Sequence, residues 1–167
     1  MLASLALAVT TGLAKEPKVL PTQLDKANVL PLALDDAIKF RKTKIFVNEP
    51  ELLKPTIDNM ISFERQRINF GAVTAYDRQQ RYGHYYTFFW RADRKADLTI
   101  RFEYRQQKLG AYVQAKELHY PAVKGSVESK FSVIGDDYAE EGKVTAWRAI
   151  LIENGKIVGL NQSFLWN

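Results

Sequence analysis

Side chains that could carry acid-base, nucleophilic or metal chemistry are few in this chain. Its 167 residues include no cysteine and two histidines, His84 and His119. A thiol nucleophile is therefore excluded, and a histidine-based metal site has at most two imidazole ligands. Both histidines stand among aromatic residues at predicted strands, where a packed or sheet-edge histidine is the simpler interpretation. We predict no catalytic residue at either position.

One acidic cluster has the right side chains for a calcium site. Carboxylate oxygens are the ligands that Ca²⁺ prefers, but the alternating spacing of an EF-hand is missing, so a solvated turn is the alternative. The same stretch, GDDYAEEGK, has six residues between its glycines where a phosphate-binding loop has four. No G-x-S-x-G, H-E-x-x-H or G-x-G-x-x-G occurs, and we predict no cofactor. The calcium candidate consists of Asp136, Asp137, Glu140 and Glu141.

Residues 1–14 form an uncharged apolar run that is typical of a secretory signal. As a helix they would span about 21 Å, which is short of the ~30 Å hydrocarbon core of a membrane. Gly12 and Ala14 are the small residues that a signal peptidase requires, and Lys15 would begin the mature chain. We therefore expect an exported protein, periplasmic or otherwise extracytoplasmic and peripherally membrane-associated. A buried or membrane-lying N-terminal helix is the alternative.

Residues 15–60 are predicted to form an extended arm, because they hold five of the six prolines. Proline removes a backbone donor and biases its predecessor toward extended conformations, so this region cannot be central sheet throughout. Short elements interrupt the arm in this interpretation. They are a helical turn at residues 34–40, an alternating strand at 43–48 and a second helical turn near Pro55.

Residues 61–167 change to β-branched and aromatic runs separated by turn residues, which predicts an antiparallel β-sandwich. In LTIRFEYRQ (residues 98–106), apolar and charged residues alternate, as in a half-buried strand. The whole chain is thus predicted to be all-β, with seven strands at residues 72–77, 83–91, 98–106, 111–120, 127–134, 143–153 and 156–166.

Asn154 and Gly155 give the clearest local signal, since a two-residue type I′ turn needs positive φ at both positions. A tight hairpin would place Leu151 opposite Val158 and Ala149 opposite Leu160. The strand number and spacing of residues 61–167 resemble the immunoglobulin or fibronectin type III class of sandwich. The disulfide of antibody domains cannot form here, and a likeness of fold alone says nothing about function.

Positive charge is concentrated in residues 61–108, which carry ten Lys and Arg against five acids. Exposed strand cations often serve to prevent edge-to-edge aggregation. The functional interpretation is a basic face that docks on an acidic partner or an anionic membrane surface, with no nucleic acid expected. Together with leucines of the arm, the predicted docking residues are Arg65, Arg67, Arg78, Arg81, Arg91, Arg94, Arg101, Arg105, Leu20, Leu30 and Leu32.

Three functions from different classes are compatible with these patterns. The leading one is a non-catalytic accessory subunit that docks on a larger bacterial membrane complex, such as a photosynthetic or respiratory assembly. An arm of this length is expensive to order, at about 1–2 kcal/mol per residue, and a partner surface would offset that cost. The alternatives are a carbohydrate- or polymer-binding module that uses surface aromatics, and a hydrolase with paired carboxylates.

Overall fold

The computed structural model describes residues 20–50 and 58–166. They form a mostly β structure with one antiparallel sheet of six strands and three short helices, which confirms the predicted β class. In chain order the elements are β1 (Thr22–Leu24), β2 (Ile38–Asn48), α1 (Asn59–Asn69), α2 (Ala75–Gln79), β3 (Gly83–Gln106), β4 (Gln114–Ile134), α3 (Asp136–Glu141), β5 (Val144–Glu153), β6 (Lys156–Gln162) and a final 3₁₀ turn (Phe164–Trp166).

The 24-residue strand β3 organises the sheet. One of its edges pairs with β4 along nearly its whole length. The other edge pairs with β2 from Gly83 to Ala92 and with β5 from Thr99 to Gln106. The register against β4 shifts on both sides of Ala96, between the two halves. Such irregularities bend a strand and increase its twist, so β3 passes from one half of the fold to the other without ending.

The sheet curves so that β6 comes back against β2. β6 lies beyond β5, and the amide of Asp35 donates to the Val158 carbonyl at 2.9 Å, so that residues 31–35 continue the pairing along β6. The Asn161 amide nitrogen then donates to the Thr43 hydroxyl of β2 at 2.7 Å. Because β2 and β6 are not neighbours in the strand order, these contacts require the sheet to fold back on itself.

The core lies on one face of β3, where every second side chain is apolar and buried. Phe88 and Phe102 pack at 5.7 Å between ring centroids, and Phe131 of β4 lies within 6.0 Å of both. Burying such a side chain contributes about 1.5–3 kcal/mol. The fully buried core residues of β3 are Tyr86, Phe88, Trp90, Leu98, Ile100, Phe102 and Tyr104.

The predicted strand count for residues 61–167 is wrong, because the predicted strands merge. Residues 83–91 and 98–106 belong to β3, and residues 111–120 and 127–134 belong to β4. Residues 72–77 contribute to α2, whose first turn is closed by a capping box between Thr74 and Asp77. Four strands remain in this part of the chain, where seven were predicted.

The described part of the predicted arm is built into the sheet. β1 pairs with β4, residues 31–35 pair with β6, and β2 pairs with β3. The strand predicted at 43–48 is confirmed, but the helical turn predicted at 34–40 does not form, since β2 begins at Ile38. The helical turn predicted near Pro55 and the apolar run at 1–14 lie outside the described residues. Residues 22–24, 31–35 and 38–48 thus have backbone partners within the chain itself.

A bulge in β2 explains why its alternation is hard to see in the sequence. Phe40 pairs with Trp90 and Lys42 with Phe89, so Arg41 is an extra residue. Ile38 and Phe40 are turned to the core before the bulge. After it the register places the odd-numbered residues opposite core-face positions of β3, with Thr43 opposite Phe88 and Ile45, which stays 48% exposed, opposite Tyr86.

The Asn154-Gly155 turn is confirmed, with φ of +49° and +71° at its two residues. The register predicted beyond it is wrong by one residue. A bulge follows the Ile152–Ile157 pair, so Leu151 pairs with Gly159 rather than Val158, and Ala149 pairs with Asn161.

We predict that Gly155→Val lowers the free energy of unfolding by about 1 kcal/mol or more, whereas Gly155→Asn lowers it by clearly less. A Cβ at Gly155 meets nothing within 4 Å, so the difference reports backbone conformation alone. Urea unfolding measures both values. Equal losses for the two variants would contradict the assignment of the turn.

Candidate functional site: buried polar clusters and exposed docking surfaces

The predicted calcium ligands lie on the short helix α3. Asp136 accepts a hydrogen bond from the Gln80 side chain at 2.8 Å, and Asp136, Asp137 and Glu140 are exposed. Among residues 20–50 and 58–166, no three His, Asp or Glu side chains are placed to hold a metal ion. This part of the chain therefore offers no assembled cation site at α3.

A buried polar cluster that sequence reasoning missed lies beside α3. Its centre is Glu49, which is 8% exposed and follows the last residue of β2. Tyr138 donates a hydrogen bond to one carboxylate oxygen, and the Lys143 ammonium lies 3.0 Å from the other. The ring of Tyr138 packs on His84 at 5.5 Å, and the Tyr86 hydroxyl lies 3.2 Å from the His84 Nδ1. The sequence signal for Glu49 was weak, since Glu49 and Glu51 flank a proline and belong to no motif.

Electrostatics in this cluster favour a neutral imidazole beside a charged carboxylate. Burial lowers the pKa of His84, and it outweighs the attraction of the Glu49 carboxylate, which acts to raise it. Burial acts to raise the pKa of Glu49, but the hydrogen bonds from Tyr138 and Lys143 bring it below its ordinary value. The cluster thus combines the Glu49 carboxylate and the His84 imidazole with the Tyr138 hydroxyl and the Lys143 ammonium.

We predict that the protein loses stability as the pH falls below about 6.5, the ordinary pKa of histidine. The unfolded chain then binds a proton that folded His84 resists, so the free energy of unfolding falls with pH. His84→Gln should flatten this slope, and His119→Gln, at an exposed position, is the matched control. Urea unfolding between pH 5 and pH 7.5 avoids the titration of Glu49. Equal slopes for the wild type and His84→Gln would contradict the prediction.

Arg101, one of the predicted docking residues, lies in a buried ionic network on the face of β3 opposite the core. It is 8% exposed, and its Nε lies 2.6 Å from Glu117. Glu103, which is 1% exposed, accepts from Arg148 at 2.6 Å and lies 3.7 Å from Arg101. Another Arg101 nitrogen donates to the Asn28 carbonyl at 2.9 Å. This network holds residues 20–35, which we call the N-terminal segment, against the sheet. Arg101 is therefore not part of an exposed basic face.

Two further predicted residues also stabilise the fold. Arg105 lies over the Trp166 ring at 4.6 Å, and Arg148 lies over the same ring at 5.0 Å. Leu30 packs against a small cluster formed by Ile150, Ile152 and Ile157. The final turn and the N-terminal segment thus cover the second face of the sheet.

We predict that Glu103→Ala lowers the free energy of unfolding by about 3–5 kcal/mol, because it leaves two arginines without their shared carboxylate. Glu128→Ala is the control, since its pair with Lys130 is exposed and should contribute less than about 1 kcal/mol. Chemical denaturation of both variants makes the comparison. A loss at Glu103 as small as that at Glu128 would contradict the structural role of the network.

Of the remaining predicted arginines, three are paired with acids. Arg94 pairs with Asp35 and Glu153, Arg91 pairs with Asp93, and Arg67 pairs with Glu64. Arg81 donates to the carbonyl of Ile68 at the end of α1. Arg65 is half-buried and Arg78 is exposed, as are Leu20 and Leu32.

Exposed cations are instead concentrated on β2. Lys39, Arg41, Lys42 and Lys44 are all exposed, and the strand contains no acid. Three of them, Lys39, Arg41 and Lys42, line an open groove of about 620 Å³ between β2 and β6. Residues 15–60 carry eight Lys and Arg against seven acids, so the small net charge of this segment conceals the cations of β2.

A second exposed surface lies on α1, which has apolar side chains on both of its sides. Ile68 is half-buried together with Ser62, Glu64, Arg65 and Asn69, whereas Met60, Phe63 and Phe70 are exposed by 66%, 60% and 85%. The spacing of three and seven residues between these three places them along one side of the helix and its end. We call them the α1 stripe. Hydrogen bonds attach the helix to the body, including Asn48 to Asn69 at 3.2 Å.

Comparisons of the chain with protein-family models, curated proteins and solved structures find no match. Within residues 20–50 and 58–166, no helix has the length and apolar character needed to cross a membrane.

Proposed function

We propose that this protein is a non-catalytic docking subunit that binds a larger protein through the α1 stripe. The observation that carries the proposal is that α1 buries no residue and exposes Met60 and Phe63, together with Phe70 at its end. A surface helix that stabilises its own domain does the opposite. The arrangement is accounted for if the apolar side contacts another protein.

Burial of the α1 stripe would contribute enough free energy for a specific contact. Complete burial of a Phe or Met side chain contributes about 1.5–3 kcal/mol relative to exposure. Phe63 and Phe70 flank a shallow depression that Gln66 and Arg67 also line, which gives a partner side chain a place to insert. Aromatic anchors beside an arginine are typical of the residues that dominate protein interfaces.

The N-terminal segment adds to the surface that a partner would cover. Its backbone is paired with β4 and β6, yet Leu20, Val29, Leu32 and Leu34 are exposed by 60% or more. In the full proposal the protein is exported and belongs to a bacterial membrane complex, for example a photosynthetic or respiratory assembly. The likeness of residues 61–167 to immunoglobulin or fibronectin type III sandwiches is also part of the proposal.

The alternative functions have less support. A sugar-binding platform would need exposed aromatics on neighbouring strands, but Tyr86, Trp90 and Tyr104 lie in the core. A hydrolase with paired carboxylates would need a partner for Glu49, which instead contacts Tyr138 and Lys143.

We predict that Phe63→Ser combined with Phe70→Ser lowers recovery of the protein with its native membrane complex by about tenfold or more. The unfolding free energy should change by less than about 0.5 kcal/mol, because both side chains are exposed. Phe164→Ser is the matched control, since Phe164 is 91% exposed on the final turn.

The measurement is affinity purification from solubilised native membranes, with quantitative mass spectrometry of proteins recovered in fixed stoichiometry. Undiminished recovery of the double variant would overturn the role of the α1 stripe. A wild-type protein recovered as a soluble monomer would overturn the proposed function as a whole.

A further inference from the structure

We propose that the groove between β2 and β6 binds an extended acidic segment of a partner protein, which adds as a strand along the free edge of β2. This inference rests on the proposed docking function and assigns it a second, chemically distinct contact. The groove shares no residue with the α1 stripe and differs from it in charge.

Both walls of the groove are strands with an edge available for pairing. β2 is paired with β3 on one side, and no described strand pairs with its other side. On β6, residues 31–35 occupy the outer edge as far as Val158, and beyond it no described segment pairs with Gly159 to Gln162. Unpaired strand edges are the surfaces to which extended peptides add, since main-chain hydrogen bonds then supply affinity.

The rim of the groove is positively charged. The bulge at Arg41 places Arg41 and Lys42 next to each other in exposed positions, and Lys39 lies two residues before them. Of the two carboxylates in the lining, Asp35 is already paired with Arg94 at 2.7 Å. Acidic side chains on an incoming strand would complement these cations.

Part of the groove lining is apolar, which favours a peptide over a flat anionic surface. Trp147 and Val158 line it, and Phe40 packs edge-on against Phe88 at 6.1 Å on its β2 side. Side chains of a strand alternate between its two faces, so a segment of alternating apolar and acidic residues would direct one set inward and the other to the cations. The two walls meet at the Asn161–Thr43 hydrogen bond and again where Gly159 approaches the Ile38 carbonyl, and these two contacts limit the site to a short segment.

The test uses the full chain and fluorescein-labelled peptides in anisotropy titrations. The probe alternates Glu and Val, and the comparison peptide alternates Lys and Val at the same length. We expect the acidic peptide to bind at least about tenfold more tightly than the Lys–Val peptide. Its binding should weaken as the salt concentration is raised. N-methylation of alternate residues along one edge should abolish binding, and methylation along the other edge should be tolerated.

The matched variants are Lys39→Glu with Lys42→Glu and, as the control, Lys124→Glu with Lys130→Glu on β4. Both pairs change the net charge equally, and all four lysines are exposed. The β2 pair should weaken binding of the acidic peptide by about tenfold or more, and the β4 pair by less than about twofold. Equal effects of the two pairs, or no preference for the acidic peptide, would overturn the proposal.

Vesicles of phosphatidylserine and phosphatidylcholine distinguish a membrane from a peptide. The proposal would be overturned in favour of lipid if three results came together. The wild type would bind these vesicles, the variant with Lys39→Glu and Lys42→Glu would not, and the acidic peptide would not bind. The Phe63→Ser and Phe70→Ser variant should retain peptide binding while it loses the native complex. Failure of peptide binding alone would therefore remove the groove proposal and leave the role of the α1 stripe intact.

Discussion

The constraint on which the structure depends is that β3 must serve both halves of one sheet. Its single long edge accommodates β2 and then β5, with Ala92 and Ala96 buried where the register shifts. A small side chain at each position lets the neighbouring strands stay close while the strand bends. Because β3 continues through the bend, β2 and β6 are brought against each other, and the groove between them is a direct consequence.

The two faces of β3 are stabilised by different forces. One face is an aromatic core, whose contribution comes from apolar burial. The other face has the buried Arg101 and Glu103, which are compensated by Glu117 and Arg148 and covered by the N-terminal segment and Trp166. Because this second face is covered, Arg101 and Glu103 are not available to a partner, although the alternation of the sequence predicts that they lie on an outer face.

Sequence reasoning succeeded where the determinants are local. The Asn154-Gly155 turn follows from the φ requirement of two residues, and the alternation around Ile100 and Phe102 marks a strand. It failed where one extra residue changes the register, as at Arg41 in β2 and after Leu151 in the terminal hairpin. Bulges leave no mark in composition. Glu49 belongs to no motif, and its partners are 89 and 94 residues away.

The sequence by itself determined the β class, the terminal hairpin and the lack of thiol chemistry, because these depend on residue type and near neighbours. Only the tertiary structure decided which cations are exposed, since burial depends on what packs over a strand. It placed Arg101 inside and left Lys39 and Lys42 at the rim of a groove. It also showed that α1 directs Phe63 and Phe70 outward, because the orientation of a helix depends on the surface against which it rests.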